Sequence, residues 1–312
     1  MEDFRVLITE KCNANCPNCF NKNIRCGREM SFEDFKSVCD YLSNEGRIKR
    51  LKIMGGEPTV HPFFCECVEY AQKRFDSVHI FTNAINDQIE KINLREHDSV
   101  IYNVSCLPIN ISPSKYLFNQ KGGRMFETQI SSDANVDHIK EVLCNAKKLI
   151  PPERMNIALT LNCVENIFAE KDKIILKWNE VSSFVVNELN VDYKIDHNIP
   201  YCFFVGSKMD IHLKHSLCST RCSGLITSDL KLQYCNQSQE ILDDILVDNR
   251  FIPFEIVENR LDEFFHKKMT HNLQKVCRNC IFYGKKCNGG CFMHKSIISK
   301  ESVLENTDLP IV

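Results

Sequence analysis

Cysteine spacing constrains this chain more than any other feature. Eighteen cysteines occur in 312 residues, and ten of them fall into three groups: Cys12, Cys16 and Cys19; Cys218, Cys222 and Cys235; and Cys277, Cys280, Cys287 and Cys291. Disulfides would explain such a density in a secreted chain. The start, Met1-Glu2-Asp3-Phe4-Arg5, lacks the basic opening and apolar core of a signal peptide, so a cytoplasmic location is expected, where thiols stay reduced. Spaced cysteine groups in that setting point to metal or iron–sulfur ligation. The other eight cysteines, at 26, 39, 65, 67, 106, 144, 163 and 202, are scattered and read as small buried hydrophobes.

The apolar fraction of 43% and charged fraction of 26% suit a globular protein, and the net charge of −2 gives no basic stripe for nucleic acid. No apolar run has the length of a membrane helix, so neither nucleic acid nor membrane is an expected partner. The first two-thirds alternates β-rich runs at 4–9, 50–54, 78–82, 100–105, 157–161 and 184–189 with helical patterns near 31–46, 62–74, 85–95, 136–149 and 166–179. Ser31-Phe32-Glu33-Asp34 opens the first helix as a capping box, and Phe32, Phe35, Val38 and Leu42 give it one apolar face. Alternating strands and helices predict parallel βα units, an α/β fold curled into a partial (β/α)6 TIM-like barrel with its chemistry at the strands' C-terminal ends. The stretch 106–135, with Pro108, Pro113 and Gly122-Gly123, reads as a long loop: either a substrate-covering lid or a plain insertion. After about residue 196 cysteines rather than apolar faces organise the chain. The expected division is therefore 1–196 for the barrel and 197–312 for a small cysteine-rich α+β domain.

The motif Cys12-Asn13-Ala14-Asn15-Cys16-Pro17-Asn18-Cys19 directly follows the first strand. Three thiolates can hold three irons of a four-iron cube and leave the fourth open to a chelating small molecule, whereas a structural zinc would want a fourth protein ligand. Met54-Gly55-Gly56-Glu57-Pro58 closes the second strand, where backbone without side chains lets a ligand approach. Together these motifs resemble the signature of the radical S-adenosylmethionine (SAM) family. That family carries a [4Fe–4S] cluster whose open iron binds SAM, and the resemblance implies that Gly55, Gly56, Glu57 and Pro58 contact SAM's amino group. Relatives usually have an aromatic residue before the last cysteine; Asn18 stands there, and Phe20 is the candidate to cover the adenine. Thr82-Asn83 ends the third strand where relatives often carry Thr-Asn-Gly, and Ser105 and Asn162 end the fourth and fifth, placed to contact the ribose. Asn83, Ser105 and Asn162 read equally well as ordinary strand-end polar residues.

The C-terminal groups resemble the SPASM domain of radical SAM proteins, which carries auxiliary [4Fe–4S] clusters. By that resemblance Cys218, Cys222, Cys235 and Cys291 hold one auxiliary cluster, and Cys277, Cys280 and Cys287 contribute to a second. No cysteine follows Cys291, so the second cluster is open at one iron, closed by Cys202 or His294, or absent; a zinc knuckle is the other reading of the last four cysteines. The family glycine five residues before Cys235 is replaced by Leu230.

The family implies reductive cleavage of SAM to a 5′-deoxyadenosyl radical, with an electron donor such as flavodoxin or ferredoxin, and hydrogen abstraction from a substrate. The expected substrate is a residue of a peptide or protein, giving a crosslink, an epimer or an oxidised side chain. Because the first strand begins by Phe4, such a substrate would dock directly or through a separate peptide-recognition protein. The alternatives are a dehydrogenase or rearrangement enzyme acting on a sugar or cyclitol, and, from another class, a non-catalytic metal-binding module. Asp133, Asp137, Glu188 and Asp192 are acid–base candidates by location only, with solvated surface as the other reading.

Overall fold

A computed structural model describes residues 2–16, 19, 26–44, 46–109, 121–161, 169–195, 199, 203, 224–236, 238 and 240–271. Each strand of its main sheet reads as alternation between two faces. In β1 (Asp3–Thr9) Phe4, Val6 and Ile8 are fully buried against the helices' apolar faces. Leu7 points the other way and joins Met54 and Leu225 in a separate small cluster edged by Phe81.

Six further parallel strands follow outward from β1: β2 (Arg50–Gly55), β3 (Ser77–Thr82), β4 (Ser99–Asn103), β5 (Gly123–Ile130), β6 (Met155–Leu161) and β7 (Tyr193–Ile195). On the opposite edge of β1 lies β8 (Leu225–Ile226), also parallel, followed by antiparallel β9 (Lys231–Gln233) and β10 (Ile241–Asp244). The order is thus β10-β9-β8-β1-β2-β3-β4-β5-β6-β7, one mostly parallel sheet. A separate hairpin pairs β11 (Leu246–Val247) with β12 (Arg250–Phe251).

Helix α1 (Phe32–Asn44) begins as its sequence dictates. The Asp34 N–H donates to Ser31 Oγ at 3.0 Å, Ser31 Oγ donates back to Asp34 Oδ2 at 2.6 Å, and Phe35, Val38 and Leu42 are buried. Helices α2 (Phe64–Gln72) and α3 (Val136–Leu149) also match expectation. The helix expected near 85–95 is a 3₁₀ turn, Asp87–Lys91, capped by Asn86. The last helix, α5 (Phe254–His271), sets Phe254 against Phe4 with ring centroids 6.2 Å apart, while Tyr41 of α1 stacks on Phe251 at 4.5 Å.

Three further expectations need correction. The stretch 184–189 is not a strand: helix α4 (Lys171–Ser183) runs on into a π-helical turn, Phe184–Glu188. Ile174, Trp178, Val181 and Val185 are all buried at spacings of three and four, so the apolar run continues a helical face. Tyr193–Ile195 supplies the strand instead. The stretch 106–135 is not a single loop either. Residues 123–130 alternate perfectly, with Arg124, Phe126, Thr128 and Ile130 buried, and insert as β5 between β4 and β6. Residues 110–120 lie outside the described residues. Finally, β4 stops at Asn103, and Ser105 sits exposed in the 3₁₀ turn Val104–Cys106 rather than at a strand end.

Candidate functional site

Because β1 to β6 run parallel, their C-terminal ends bring Glu10 to Cys12, Gly56-Glu57, Asn83 and the turn Val104–Cys106 to one edge of the sheet. Ligand sites of open parallel sheets form at that edge. The cysteine loop leaves it from β1 and is fixed at its outgoing end by backbone. The Gly56 N–H donates to the Thr9 carbonyl and the Glu57 N–H to the Lys11 carbonyl, both at 2.8 Å. This approach explains the glycine pair. A Cβ on Gly56 would stand 2.4 Å from the Lys11 carbonyl oxygen, and one on Gly55 3.0 Å from that of Thr9. The glycines therefore let β2 close on the root of the cysteine loop, whatever ligand access they also give.

Two buried carboxylates brace the loop. Glu57, 1% exposed, accepts from Thr59 N (3.2 Å), Thr59 Oγ1 (2.7 Å) and Thr82 Oγ1 (2.7 Å) on Oε1, and from Asn83 N (2.7 Å) on Oε2. Burial pushes its carboxyl above the ordinary range, against the pull of these donors, Asn83 N first. Glu57 thereby ties the end of β2 to the end of β3. Glu10, 6% exposed, holds the returning limb: it accepts from Cys26 N, Arg28 N and Arg28 Nε, and from Ser228 Oγ beyond β8. Beside it Met30 N donates to the Ile8 carbonyl. Neither Glu10 nor Thr59 was legible from motif spacing, whereas Thr82 was named with Asn83; for Glu10 an acidic residue closing a buried strand was the available signal.

Asn83 bridges the two systems. Its Nδ2 donates to Asn13 Oδ1 at 2.8 Å and lies 4.0 Å from Cys12 Sγ. The next residue, Ala84, is buried in the left-handed region at φ +51°, which explains why glycine suits this position in Thr-Asn-Gly. At the end of β4 the buried Asn103 Oδ1 has no hydrogen-bond partner among the described residues, which fits a donor supplied by a ligand.

Cys12, Cys16 and Cys19 are each half-buried, and Ala14 N donates to Cys12 Sγ at 3.4 Å. Among the described residues no three thiol, imidazole or carboxylate groups converge as around a single ion. Three thiols on one loop match the donor chemistry of a cube, whose ligands bind separate irons. A fourth thiol was missed. Cys106, read from sequence as a small buried hydrophobe, is half-buried with its Sγ 2.6 Å from Cys16 Sγ. That contact and burial push the Cys106 thiol up, and Cys12 and Cys19 are close enough to add to the effect. Among the other scattered cysteines, Cys39 and Cys67 are buried as expected, Cys65 and Cys144 are half-buried, and Cys26 is exposed.

Of the remaining sequence candidates, Phe20, Asn162, Cys218, Cys222, Cys277, Cys280, Cys287 and Cys291 lie outside the described residues, as do Cys202 and His294. Cys235 is described: it is half-buried just after β9 and packs against the main core. Leu230, in the turn before β9, has φ +59°, so the chain keeps a glycine-type conformation without the glycine. Asp133, Asp137, Glu188 and Asp192 are all exposed. No helix among the described residues is long and apolar enough to cross a membrane.

Residues 6–104 match the sequence model of the Radical SAM superfamily. A probable GTP 3′,8-cyclase of Methanothermobacter marburgensis is 29% identical over 116 residues, 36% of this chain and 37% of that one. The antilisterial bacteriocin subtilosin biosynthesis protein AlbA of Bacillus subtilis is 28% identical over 118 residues, 37% of this chain and 26% of that one. The chain thus spans little more than a third of the first relative and about a quarter of the second. In fold it is similar to Streptococcus suis SuiB bound to S-adenosylmethionine, with a TM-score of 0.62 at 12% identity over 93% of this chain and 73% of SuiB. The same protein bound to its precursor peptide SuiA gives 0.59 at 12% identity over 94% and 70%. The glycine-braced cysteine loop accordingly lies within the stretch, residues 6–104, that matches the Radical SAM superfamily.

Proposed function

We propose that this chain is a radical SAM enzyme that abstracts hydrogen from a residue of a peptide or protein. The observation that carries the chemistry is the convergence of the Cys12/Cys16/Cys19 loop, the Gly55-Gly56-Glu57-Pro58 turn and Asn83 on one sheet edge, in the domain that matches the superfamily. Cys12, Cys16 and Cys19 would hold three irons of a [4Fe–4S] cluster. A cluster held there would supply the electron for reductive cleavage of SAM to methionine and a 5′-deoxyadenosyl radical. The chain's own part is to hold that loop still, through Gly56 and the two buried carboxylates, and to offer backbone and side-chain polar groups to SAM. Gly55, Gly56, Glu57 and Pro58 are assigned to its amino end, Ser105 and Asn162 to its ribose, and Phe20 to its adenine, with Asn83 a further SAM-binding residue. Asn103 joins them as an acceptor.

The reading further assigns 1–196 to a radical SAM partial barrel and 197–312 to a SPASM-like unit. Cys218, Cys222, Cys235 and Cys291 would hold one auxiliary cluster there, and Cys277, Cys280 and Cys287 would serve a second. A flavodoxin- or ferredoxin-type donor and a cytoplasmic setting complete it. The peptide substrate is favoured by the relatives: AlbA is a bacteriocin biosynthesis protein, and SuiB was solved with a precursor peptide. A small-molecule substrate is the second reading, favoured by the GTP 3′,8-cyclases among the curated relatives.

The test is 5′-deoxyadenosine formation by anaerobic, reconstituted protein given SAM, dithionite and either the peptide fraction or the low-molecular-weight fraction of host extract. Stimulation by the peptide fraction, with a mass change in one peptide, is expected. Stimulation by the low-molecular-weight fraction alone would replace this reading with the second.

A further inference from the structure

We infer that Cys106 is a modification partner of the cysteine loop: when no cluster is bound, it closes on Cys16 as a reversible disulfide that withholds one thiol from the metal site. The two sulfurs are 2.6 Å apart although 90 residues separate them in sequence. Cys106 sits on the framework side of the contact, in the 3₁₀ turn ending β4. Leu107, which is 1% exposed, locks that turn through its N–H to the carbonyls of Asn103 and Val104. Cys16 sits on the loop. Both residues are half-buried, so a small oxidant reaches them. A disulfide to Cys106 consumes the Cys16 thiolate, the form that binds metal, so the link and ligation by Cys16 are mutually exclusive states. A four-thiol site for a single ion is disfavoured, because among the described residues no three such groups converge.

The chemistry is thiol–disulfide exchange with a low-molecular-weight disulfide such as glutathione disulfide. The Cys16 thiolate attacks it, expels one glutathione and leaves a mixed disulfide on Cys16. Cys106 then passes its proton to the first glutathione thiolate, attacks the Cys16 sulfur and expels the second glutathione. Two protein thiols are oxidised, one disulfide is reduced to two thiols, and the protons leave with the glutathiones. The lock would keep Cys16 off the irreversible oxidation ladder and make cluster loading wait for reducing conditions. This consequence rests on reading Cys16 as a cluster ligand; the pairing itself does not.

The experiment strips metal from the full chain with chelator and reductant, removes both without oxygen, and adds glutathione disulfide. Remaining thiols are alkylated and peptides mapped by mass spectrometry without reduction. A Cys16 peptide joined to the Cys106 peptide is expected. Iron uptake should fall by about four irons per chain, one cube, relative to reduced protein, and return with dithiothreitol. Cys106→Ser, checked by circular dichroism, should form no such link and should instead keep Cys16 as the glutathione adduct after the same treatment. Cys16 joined to Cys12 or Cys19, or left as a glutathione adduct beside alkylated Cys106, would overturn the inference. A Cys16–Cys106 link in a chain that takes up no iron at this loop even when reduced would uphold the pairing and overturn the cluster reading.

Discussion

Glu57 separates a structural from a ligand-binding role for the turn after β2, and substitution there gives a magnitude that can be worked from contacts. Glu57→Gln keeps the shape but exchanges one acceptor oxygen for a donor. The least costly orientation puts the amide nitrogen at Oε2, where it meets only the Asn83 N–H; the other would set it against Thr59 N and two hydroxyls. One buried N–H is then left facing a donor, which costs about 1–3 kcal/mol. Glu57→Ala strips all four donors of their acceptor and opens a cavity, for about 3–5 kcal/mol. Local opening is read by hydrogen exchange with mass spectrometry on cluster-free, reduced protein. Peptides spanning 56–60 and 82–85 should exchange about 5- to 150-fold faster in Glu57→Gln, and faster still in Glu57→Ala, while 136–149 changes little. Unchanged exchange in the Gln variant would refute the bracing role.

Three further outcomes follow from the same framework. Gly56→Ala forces a methyl against the Lys11 carbonyl oxygen; it should cost about 1–3 kcal/mol by urea unfolding followed at Trp178, the single buried tryptophan, and should weaken iron retention. Asp98 is fully buried: burial alone would raise its carboxyl, but hydrogen bonds from Arg95, Val78 N and Gln72 hold it below the ordinary value. Its stabilisation is therefore present above the unfolded value and lost as pH falls through the folded one, and Asp98→Asn should flatten that acid limb and cost about 1–3 kcal/mol. His79 is pushed down to about 4 by burial, with Arg50 and Lys52 adding to the effect. Between that value and the unfolded one only the unfolded chain binds the proton, so stability should fall by up to about 3 kcal/mol as pH drops from about 6.5 to about 4, a loss that His79→Gln removes.

Much of this was legible in the sequence. The capping box at Ser31, the helix 136–149 and the first five expected strands rest on local patterns that the structure keeps, with ends moved by up to two residues. Strand β5 was missed although Arg124, Phe126, Thr128 and Ile130 alternate, because the prolines and paired glycine before it suggested loop throughout. The run 184–189 was misread because Phe-Val-Val has strand composition; only its register with Trp178 and Val181 reveals a helix. At the site the cysteine and Gly-Gly-Glu-Pro motifs stood out because they are contiguous. Glu10 and Cys106 did not, because they reach the site through tertiary packing: Cys106 meets Cys16 across 90 residues, and Ser228 meets Glu10 across 218.

The most direct test of the central claim is an iron count paired with a 5′-deoxyadenosine assay. Wild type and a Cys12/Cys16/Cys19→Ala variant would both be reconstituted without oxygen and given SAM and dithionite. The variant should carry about four fewer irons per chain and make no 5′-deoxyadenosine, while the wild type makes it. Equal iron in both proteins with no 5′-deoxyadenosine from either would contradict the account.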